Sequence, residues 1–374
     1  MKILYIGHYK EGSGWSQSAI DLIQCIDSVG VDIVCRNIKL TNKDANIPEK
    51  VLNLEKKDLQ NVDVCIQHVL PHHLIATSKF KKNITAYIGE SDNLCFNTWL
   101  DNLNLMDEIW VPNQTLVNHL VSSNIDEKKI KKVPYPFDIS KYNTKQEKKI
   151  NFHENDYKFK FYYIADLNDR KNIESVVRCF HSEFESHEPV ALVLKVKKYG
   201  LSDEKLNQHI VEICNNIKRN MRMYKNLENY HKEIIISENL DDDFITNLHI
   251  ACDCLINTTH GEGWSIPAFD AMCYGNTPIC CNEGGPKEFI DHNDANTGTL
   301  INGLMTVCNH SDPAFPNIFT GRENWFTPDE KEIKKAMRYY YENRDIIDRT
   351  SGLKNAEKYS YANIGNIIKE LLNV

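Results

Sequence analysis

The chain has 374 residues, of which 41% are hydrophobic and 26% are charged, and this composition is typical of a soluble globular protein. Its length suits two domains of roughly 150 to 200 residues each. The formal net charge of −8 argues against a broad nucleic-acid-binding surface. No run approaches the roughly 18 apolar residues of a membrane span, and the N-terminus reaches glycine and charge too early for a signal peptide. We therefore expect a cytoplasmic protein.

Short β-branched segments alternate with helical patterns in the first half of the chain. The predicted strands are KILYI (2–6), VDIVCRNI (31–38), VDVCIQH (62–68), ITAYI (84–88) and DEIWVP (107–112). Amphipathic helices are predicted for SQSAIDLIQCID (16–27) and QTLVNHLVSSN (114–124). Strands and helices in alternation predict a parallel sheet covered on both faces.

Residues 133–157 contain prolines and a charged, apolar-poor tail, which is typical of a domain linker. Beyond them a helix is predicted over 172–181. The further strands and the two last helices are KFKFYYIA (158–165), PVALVLKV (189–196), EIIIS (233–237), DCLIN (253–257), TPICC (277–281), PDEKEIKKAMRYYYEN (328–343) and YANIGNIIKELLN (361–373). The predicted fold class is α/β, with two Rossmann-like doubly wound domains facing each other across a cleft. We expect an N-terminal domain at 1–150, a C-terminal domain at 151–354, and a helix at 355–374 that packs back on the first domain.

The loops that follow strands are the informative ones, because ligands of open parallel sheets bind at the carboxyl ends of the strands. The first such loop is GHYKEGSGWSQSA (7–19). Gly12 and Gly14 permit close approach of the backbone to a ligand, and Ser16 or Ser18 is expected to begin the helix. The third glycine of a dinucleotide fingerprint is missing. By itself this loop predicts only a phosphate or carbonyl group near residue 14.

A second loop, in IADLNDRKNIESVV (164–177), carries adjacent cations at a strand-to-helix turn. Arg170 and Lys171 precede Asn172, which is positioned to cap the helix. The helix dipole disfavours positive charge there, and a bound anion relieves the conflict. A solvated Arg-Lys pair explains these residues equally well. Lys195, inside a strand pattern, either reaches the same anion or places its charge at a sheet edge.

A third loop, HGEGWSIPAFDAM (260–272), leads into another helix. Ser265 or Ile266 is the expected cap, with Pro267 as the first helical residue, where its missing N–H group costs nothing. The free amides of this first turn are expected to form an anion site.

Two carboxylates flank this helix start. Glu262 lies just before the helix and Asp270 one turn inside it, so both are expected to reach one ligand. A carboxylate beside a phosphate is costly unless it accepts hydrogen bonds from hydroxyl groups, which sugars supply. The aspartates 241–243 precede a helical pattern and are interpreted as a cap and not as a metal site.

These residues carry a resemblance. EGWSIPAFDAMCYGNTPICCNEGGPKEF (262–289) is similar to the donor-site signature of family 4 glycosyltransferases, in which seven residues separate two acids and a GG…E tail follows. The similarity extends to DLNDRKN (166–172), to the glycine-rich first loop and to DEIWVPNQTLVNHL (107–120), in order along most of the chain. The resemblance implies the GT-B fold and transfer, with retention of anomeric configuration, from a UDP- or GDP-sugar. It also implies that the N-terminal domain (1–150) is the acceptor side and that the C-terminal domain (151–354) binds the nucleotide sugar. The implied acceptor is a hydroxyl of a saccharide or glycoconjugate, and no cofactor or metal is required.

The resemblance also assigns residues. It implies that Glu262 contacts the hydroxyls of the donor sugar and that Asp270 contacts the ribose. Arg170 and Lys171 are implied to hold the diphosphate, which makes them, with Glu262, the expected catalytic residues. The expected donor-binding set is Gly12, Gly14, Lys195, Gly263, Trp264, Ser265, Ile266, Pro267 and Asp270.

The sequence departs from the family pattern in three places. Asp270 replaces the usual glutamate, which shortens its reach. Asp166 stands where many members have an arginine, so Arg170 or Lys195 must substitute. YIGESDN stands where many members have a histidine, which makes Glu90 and Asp92 the expected acceptor contacts.

Three other functions are alternatives to sugar transfer. A nucleotide-sugar epimerase of the same fold would share the phosphate site but need no acceptor site. An NAD-dependent dehydrogenase would need an acid at the end of the second strand, where Arg36 and Asn37 stand. A non-catalytic nucleotide-binding protein would be expected to lose Glu262, Arg170 or Lys171, and all three are present here. Peripheral membrane contact through KKIKKVPY (128–135) is a further alternative to a solvated loop, and the oligomeric state is not predicted.

Overall fold

The computed structural model describes residues 1–40, 45–143, 150, 152, 157–238, 240–308 and 319–374. The chain forms two compact units. Unit 1 comprises Met1–Asn143, Val307–Asn324 and Ala356–Val374, and unit 2 comprises Thr144–Thr306 and Trp325–Asn355. The linker expected over 133–157 lies partly outside the described residues.

The described residues in the first part of unit 1 form six strands and four α-helices. The strands are β1 (Lys2–Gly7), β2 (Asp32–Asn37), β3 (Val64–His68), β4 (Lys82–Ala86), β5 (Glu108–Val111) and β6 (Ile130–Lys132). The helices are α1 (Gly14–Ser28), α2 (Glu49–Glu55), α3 (Trp99–Asn104) and α4 (Gln114–Ser122). The strands form one sheet in the order β2-β1-β3-β4-β5-β6, and every pair is parallel. All five residues of β3 are buried, as expected for a strand inside a sheet that is covered on both faces.

Unit 2 repeats this plan with a different strand order. Its strands up to residue 306 are β7 (Phe159–Asp166), β8 (Val190–Lys197), β9 (Ile234–Ile236), β10 (Cys254–Asn257), β11 (Ile279–Cys281) and β12 (Thr299–Ile301), followed by β13 (Gly303–Val307), which ends in unit 1. The helices are α5 (Ile173–Glu183), α6 (Asp203–Met221), α7 (Asp242–Ala251), α8 (Ile266–Cys273) and α9 (Pro286–Phe289). The main sheet runs β12-β11-β10-β7-β8-β9, with parallel pairing.

The last part of the chain adds one strand and three helices. They are β14 (Asn324–Pro328), α10 (Glu330–Glu342), α11 (Ser351–Ala356) and α12 (Tyr361–Leu372). Strand β14 pairs with β13 in a small separate sheet. Within unit 1, α12 packs against α1, where the Tyr361 hydroxyl donates to Asp21 Oδ1 at 2.6 Å. Gly365 permits this approach, because a Cβ atom there would lie 2.2 Å from Val29 Cγ1.

A buried charged cluster joins α5 and α6 to the segment before β9. Glu233 Oε1 lies 2.6 Å from His181 Nε2, and Glu233 Oε2 accepts from Lys218 Nζ at 2.6 Å. The side chains of His181, Lys218 and Glu233 are 1%, 5% and 7% exposed, respectively. Such a cluster holds three elements at defined distances, because each buried charge requires its partner.

The predicted α/β class with two doubly wound sheets is confirmed. The sequence pattern did not reveal the long helix α6, whose buried apolar residues are Leu206, Ile210, Cys214 and Ile217 among many polar residues. It also missed the short strands β6, β12, β13 and β14, whose three to five residues are too few to show a period. Among the described residues, no helix is long and apolar enough to cross a membrane.

Candidate active site

Strands β7 and β10 lie side by side in unit 2, although β8 and β9 come between them in sequence. The strand order reverses at this point, and ligands of doubly wound sheets bind beyond the carboxyl ends of the strands there. Residues 167–172 follow β7, and residues 258–265 follow β10. These loops contain Arg170, Lys171 and Glu262, the three residues expected to be catalytic.

Two asparagines set the geometry of the loop after β7. Asp169–Lys171 forms a single 3-10 turn, which Asn168 caps by accepting a hydrogen bond from the Lys171 amide at 3.2 Å. Asn172 adopts the left-handed conformation, with φ of 53°, and its side chain caps α5 as predicted. The Asn172 side-chain amide also donates to the Thr258 carbonyl at 3.0 Å, which joins the loop after β7 to the loop after β10.

Glu262 is the centre of a charged cluster. Its carboxylate is ion-paired with Lys171 Nζ, and Arg170 Nη1 lies 4.0 Å from the same carboxylate oxygen. Arg170 Nη1 also donates to the Gly261 carbonyl at 2.5 Å. Burial opposes ionisation of Glu262, whose side chain is 10% exposed. The charges of Lys171 and Arg170, with hydrogen bonds from Lys171 and Asn257, outweigh burial and lower the pKa of the Glu262 carboxyl.

Two glycines from the loop after β11 hold the backbone of Glu262. The Gly285 amide donates to the Glu262 carbonyl at 3.0 Å. A Cβ atom on Gly284, whose φ is +74°, would lie 2.1 Å from that carbonyl oxygen, and one on Gly285 would lie 2.2 Å from Trp264 Cα. Only glycine fits at either position, so the GG pair of the sequence positions the Glu262 loop.

The start of α8 differs in detail from the prediction. Ser265, with φ of 71°, is the cap residue, Ile266 is the first helical residue and Pro267 the second. The amides of Ala268 and Phe269 donate to the Ser265 carbonyl at 3.1 and 3.0 Å. Pro267 has no N–H group, so this turn offers a ligand the Ile266 amide and not the several amides that we expected.

The side chain of Trp264 belongs to the core. It is 2% exposed and packs on Phe269 and Phe289, with ring centroids 6.0 and 5.5 Å away. This side chain therefore contributes to packing in the core, and the donor-binding role expected of Trp264 stays a prediction. Gly263 lies between Trp264 and Glu262. Asp270 lies on α8 and is partly buried.

Lys195 is neither at a sheet edge nor exposed. It lies in β8, between β7 and β9, is 5% exposed, and donates from Nζ to the Glu238 carbonyl at 2.9 Å. Burial lowers the pKa of the Lys195 ammonium, and the nearby charge of Lys197 adds to this effect. The observed partner of its charge is thus a backbone carbonyl.

In unit 1, the glycine-rich loop follows β1 and leads into α1. Helix α1 begins at Gly14, and Ser13 caps it by accepting a hydrogen bond from the Ser16 amide at 3.1 Å. The prediction that Ser16 or Ser18 begins the helix is therefore wrong, because the Ser13 hydroxyl caps the helix earlier. Gly12 adopts φ of +64° immediately before the cap, a conformation that glycine adopts readily.

The two residues expected to contact the acceptor lie after β4 in unit 1. Asp92 Oδ1 and Oδ2 accept hydrogen bonds from the backbone and side-chain amides of Asn324 at 2.7 and 2.8 Å, and the Asn93 side chain also donates to Oδ1. The Asp92 carboxylate therefore anchors the segment around Asn324, a contact that sequence spacing does not show. Glu90 is partly buried, close enough to Tyr87 and Tyr135 to raise the pKa values of their hydroxyls, which burial raises most.

Asn257 and Thr258, at the end of β10, were not singled out from the sequence. Asn257 Nδ2 donates to Ser265 Oγ at 2.8 Å, which fixes the cap of α8. Asn257 Oδ1 and Thr258 Oγ1 are buried and have no hydrogen-bond partner in the described part of the chain. A polar residue that ends a predicted buried strand is the signal that would have identified Asn257. No group of three or more His, Cys, Asp or Glu residues suited to a metal ion is found among the described residues.

The sequence of unit 2 matches a known family. Residues 144–314 match the family model described as glycosyl transferases group 1. A comparison with curated protein sequences finds no match.

Solved structures share the fold of the whole chain. Anabaena Alr3699/HepE in complex with UDP is similar with a TM-score of 0.65 and 14% identity, over 100% of both chains, and its complex with UDP-glucose is similar with a TM-score of 0.64. The lipopolysaccharide outer core galactosyltransferase WaaB, in its apo form, has a TM-score of 0.63 at 13% identity, over 100% of this chain and 99% of WaaB. Sucrose-phosphate synthase from Thermosynechococcus elongatus has a TM-score of 0.64 at 12% identity, over 100% of this chain and 98% of the synthase.

Proposed function

We propose that this glycosyltransferase, whose residues 144–314 match the group 1 family model, moves a sugar from a nucleotide diphosphate sugar to an acceptor hydroxyl, with retention of anomeric configuration. The observation that carries this proposal is the charged cluster of Lys171, Arg170 and Glu262 at the point where the strand order of unit 2 reverses. Two cations and an ionised carboxylate in one partly buried site suit a ligand that carries both phosphate and hydroxyl groups.

Donor binding rearranges the partners within this cluster. A diphosphate attracts Lys171 and Arg170 more strongly than one carboxylate does, because it carries more charge. Glu262, released from Lys171, then accepts hydrogen bonds from hydroxyls of the donor sugar. The buried Asn257 Oδ1 and Thr258 Oγ1 are consistent with a site that a ligand completes.

The chemical step breaks the bond between the anomeric carbon and the diphosphate oxygen. Negative charge grows on the leaving diphosphate while an oxocarbenium-like centre forms, and Arg170 and Lys171 stabilise that charge where it develops. The bonding electron pair stays on the diphosphate, whose oxygen takes the proton of the acceptor hydroxyl as the new glycosidic bond forms. We propose that this chemistry requires no metal ion.

We propose UDP as the nucleotide, since Anabaena Alr3699/HepE, which shares the fold, was solved with UDP and with UDP-glucose. A GDP-sugar is the alternative that the sequence leaves open. The acceptor is proposed to be a saccharide or glycoconjugate. The cytoplasmic location and a peripheral membrane contact stay predictions from the sequence.

The test is a calorimetric titration of the purified chain with UDP-glucose, UDP-galactose, GDP-mannose, UDP, GDP and NAD. An assay of nucleoside diphosphate release accompanies the titration. We expect one nucleotide sugar to bind and to release its nucleoside diphosphate slowly in the absence of acceptor. Binding without release, even with a panel of saccharide acceptors present, indicates the non-catalytic protein. Conversion of the donor sugar to its epimer indicates the epimerase, and binding of NAD alone contradicts the proposal.

A further inference from the structure

A row of aromatic and imidazole rings lies in unit 1 around the carboxyl ends of β1 and β3. These strands are neighbours at the point where the strand order of the first sheet reverses. We call the row the ring cluster, and it consists of His8, Trp15, His68, His72, His73 and Trp99. His8 follows β1, Trp15 lies in the first turn of α1, and His68 ends β3.

The ring cluster runs from the interior to the surface. His8 contacts Trp15 edge-on at 5.7 Å between centroids, and Trp15 lies 5.7 Å from His68. His8 and His68 are each 1% exposed, whereas His73, 6.4 Å from His8, is exposed. His72 contacts His73 and lies nearly parallel to Trp99. The buried rings are therefore in contact with rings at the surface.

The tautomer of neutral His8 is fixed by its surroundings. His8 Nδ1 lies 2.7 Å from the Ile38 carbonyl oxygen, which can only accept, so Nδ1 carries the hydrogen. In the neutral ring Nε2 then presents a lone pair. His8 Nε2, His68 Nε2 and Trp15 Nε1 are buried and have no hydrogen-bond partner within the described ranges. Each such atom costs about 1–3 kcal/mol, so three on adjoining rings indicate a site that a ligand completes.

The chemistry of the ring cluster favours an uncharged ligand. Burial lowers the pKa of His68 to about 3, and burial also lowers that of His73. These two rings are neutral at physiological pH and do not attract phosphate. An acceptor atom on His8 and an N–H donor on Trp15, on rings whose centroids lie 5.7 Å apart, suit a hydroxyl group, which both donates and accepts. Ring faces pack well on the apolar faces of a sugar.

We propose that the ring cluster binds an uncharged sugar, with His8 Nε2 accepting a hydrogen bond from one of its hydroxyls, and that this sugar is the acceptor of the transfer. The identification of the bound sugar as the acceptor rests on the proposed function, whereas sugar binding by the cluster does not. The proposal moves acceptor recognition from Asp92, which holds Asn324, to residues around β1 and β3.

Fluorine NMR of the full chain labelled with 5-fluorotryptophan tests the binding directly. The chain has five tryptophans, and Trp15→Phe identifies the Trp15 signal. Methyl glycosides of glucose, galactose and N-acetylglucosamine are titrated, with inorganic phosphate and glucuronate as charged controls. We expect at least one glycoside to shift the Trp15 signal and to leave that of Trp264, in the core of unit 2, unchanged. If none of the glycosides shifts it, or only the charged controls do, the proposal is overturned.

Two substitutions at one position then separate hydrogen bonding from packing. His8→Asn places its amide near Nδ1 and keeps a donor for the Ile38 carbonyl, but it lacks an acceptor at the Nε2 position. His8→Gln places an amide oxygen near Nε2. We expect His8→Asn to weaken glycoside binding about tenfold and His8→Gln to stay within about threefold of the unchanged chain. Equal binding by both variants contradicts the role of Nε2.

The same samples are titrated with UDP-glucose. Weakened glycoside binding with intact UDP-glucose binding is expected for His8→Asn. If the unchanged chain binds the glycosides but no nucleotide sugar, the proposed function fails while the ring cluster stands. If it binds UDP-glucose but no glycoside, the ring cluster fails while the proposed function stands.

Discussion

Lys171 and Glu262 form an ion pair between loops that lie 91 residues apart in sequence. The two loops meet because β7 and β10 are neighbours in the sheet of unit 2. Each group neutralises the charge of the other in this pair. In the proposed reaction a donor phosphate competes with Glu262 for the lysine, so donor binding and release of the carboxylate are linked.

The change Glu262→Gln tests the carboxylate with little change in shape. We expect transfer to fall at least about 100-fold, because the sugar loses a charged hydrogen-bond partner that acts in the transition state. UDP binding is expected to be at least as tight as in the unchanged chain, since Lys171 no longer has a competing anion. Activity and calorimetric titration check both expectations, with Glu212→Gln, an exposed position on α6, as the control. Full activity of Glu262→Gln would falsify the site assignment.

The change Lys171→Ala separates donor binding from chemistry. Loss of a charge-assisted hydrogen bond is expected to weaken UDP binding about 10- to 100-fold and to lower transfer as well. Lys205→Ala, at an exposed position of α6, is the matched control and should bind UDP normally. Unchanged UDP affinity in Lys171→Ala would show that the diphosphate lies elsewhere.

The change Gly284→Ala tests the support beneath Glu262. Both Gly284 and Gly200 have positive φ, but a Cβ atom would lie 2.1 Å from the Glu262 carbonyl oxygen at Gly284 and would meet nothing within 4 Å at Gly200. Gly200→Ala is expected to cost about 1–2 kcal/mol of stability and no activity, from backbone strain alone. Gly284→Ala is expected to lose activity and to lose more stability than Gly200→Ala does. Activity assays and thermal unfolding measure the two effects. Equal behaviour of the two variants would contradict the steric role.

The buried cluster around Glu233 makes stability dependent on pH. Burial alone would raise the pKa of Glu233, but His181 and Lys218 overcome burial and lower the pKa to about 2. Because the unfolded value is about 4.3, the stabilisation is fully present above that pH and is lost as pH falls toward 2. Glu233→Gln is expected to destabilise the chain by about 3–5 kcal/mol near pH 7, since Lys218 stays buried without its anion.

Urea unfolding followed by fluorescence at pH 7 and at pH 3 measures this effect. The difference between Glu233→Gln and the unchanged chain should shrink at pH 3. Glu228→Gln, at an exposed position, should stay within about 0.5 kcal/mol at both pH values. A difference that does not depend on pH would indicate a loss of packing and not of charge.

Removal of divalent ions tests the proposed metal independence. A chelator is expected to change the rate of nucleoside diphosphate release by less than about twofold. Arg170 and Lys171 supply the positive charge that a metal ion would otherwise provide. Activity that disappears with chelator and returns with Mg²⁺ would mean that the leaving group needs a metal ion.

The strand and helix pattern of both halves was readable because buried parallel strands are rich in β-branched residues and their helices have one apolar face. The loop residues Arg170, Lys171 and Glu262 were also found from the sequence, since each lies next to a predicted strand or helix end. The structure brings these three together. In the structure Trp264 packs in the core and Lys195 donates a hydrogen bond to the Glu238 carbonyl. Asp92 accepts hydrogen bonds from Asn324. These outcomes depend on partners distant in sequence, which local pattern does not specify.

The sequence alone determined the α/β class, the two sheets and the loops that carry charge, because periodicity and the residues at strand ends are local properties. Tertiary structure alone decided which loops meet. Sheet order places β7 beside β10 and β1 beside β3, and that order depends on non-local packing. The ion pair of Lys171 with Glu262 and the contacts of His8 with His73 and of Trp15 with His68 exist for this reason. Steric contact with the Glu262 loop likewise gives Gly284 and Gly285 their role.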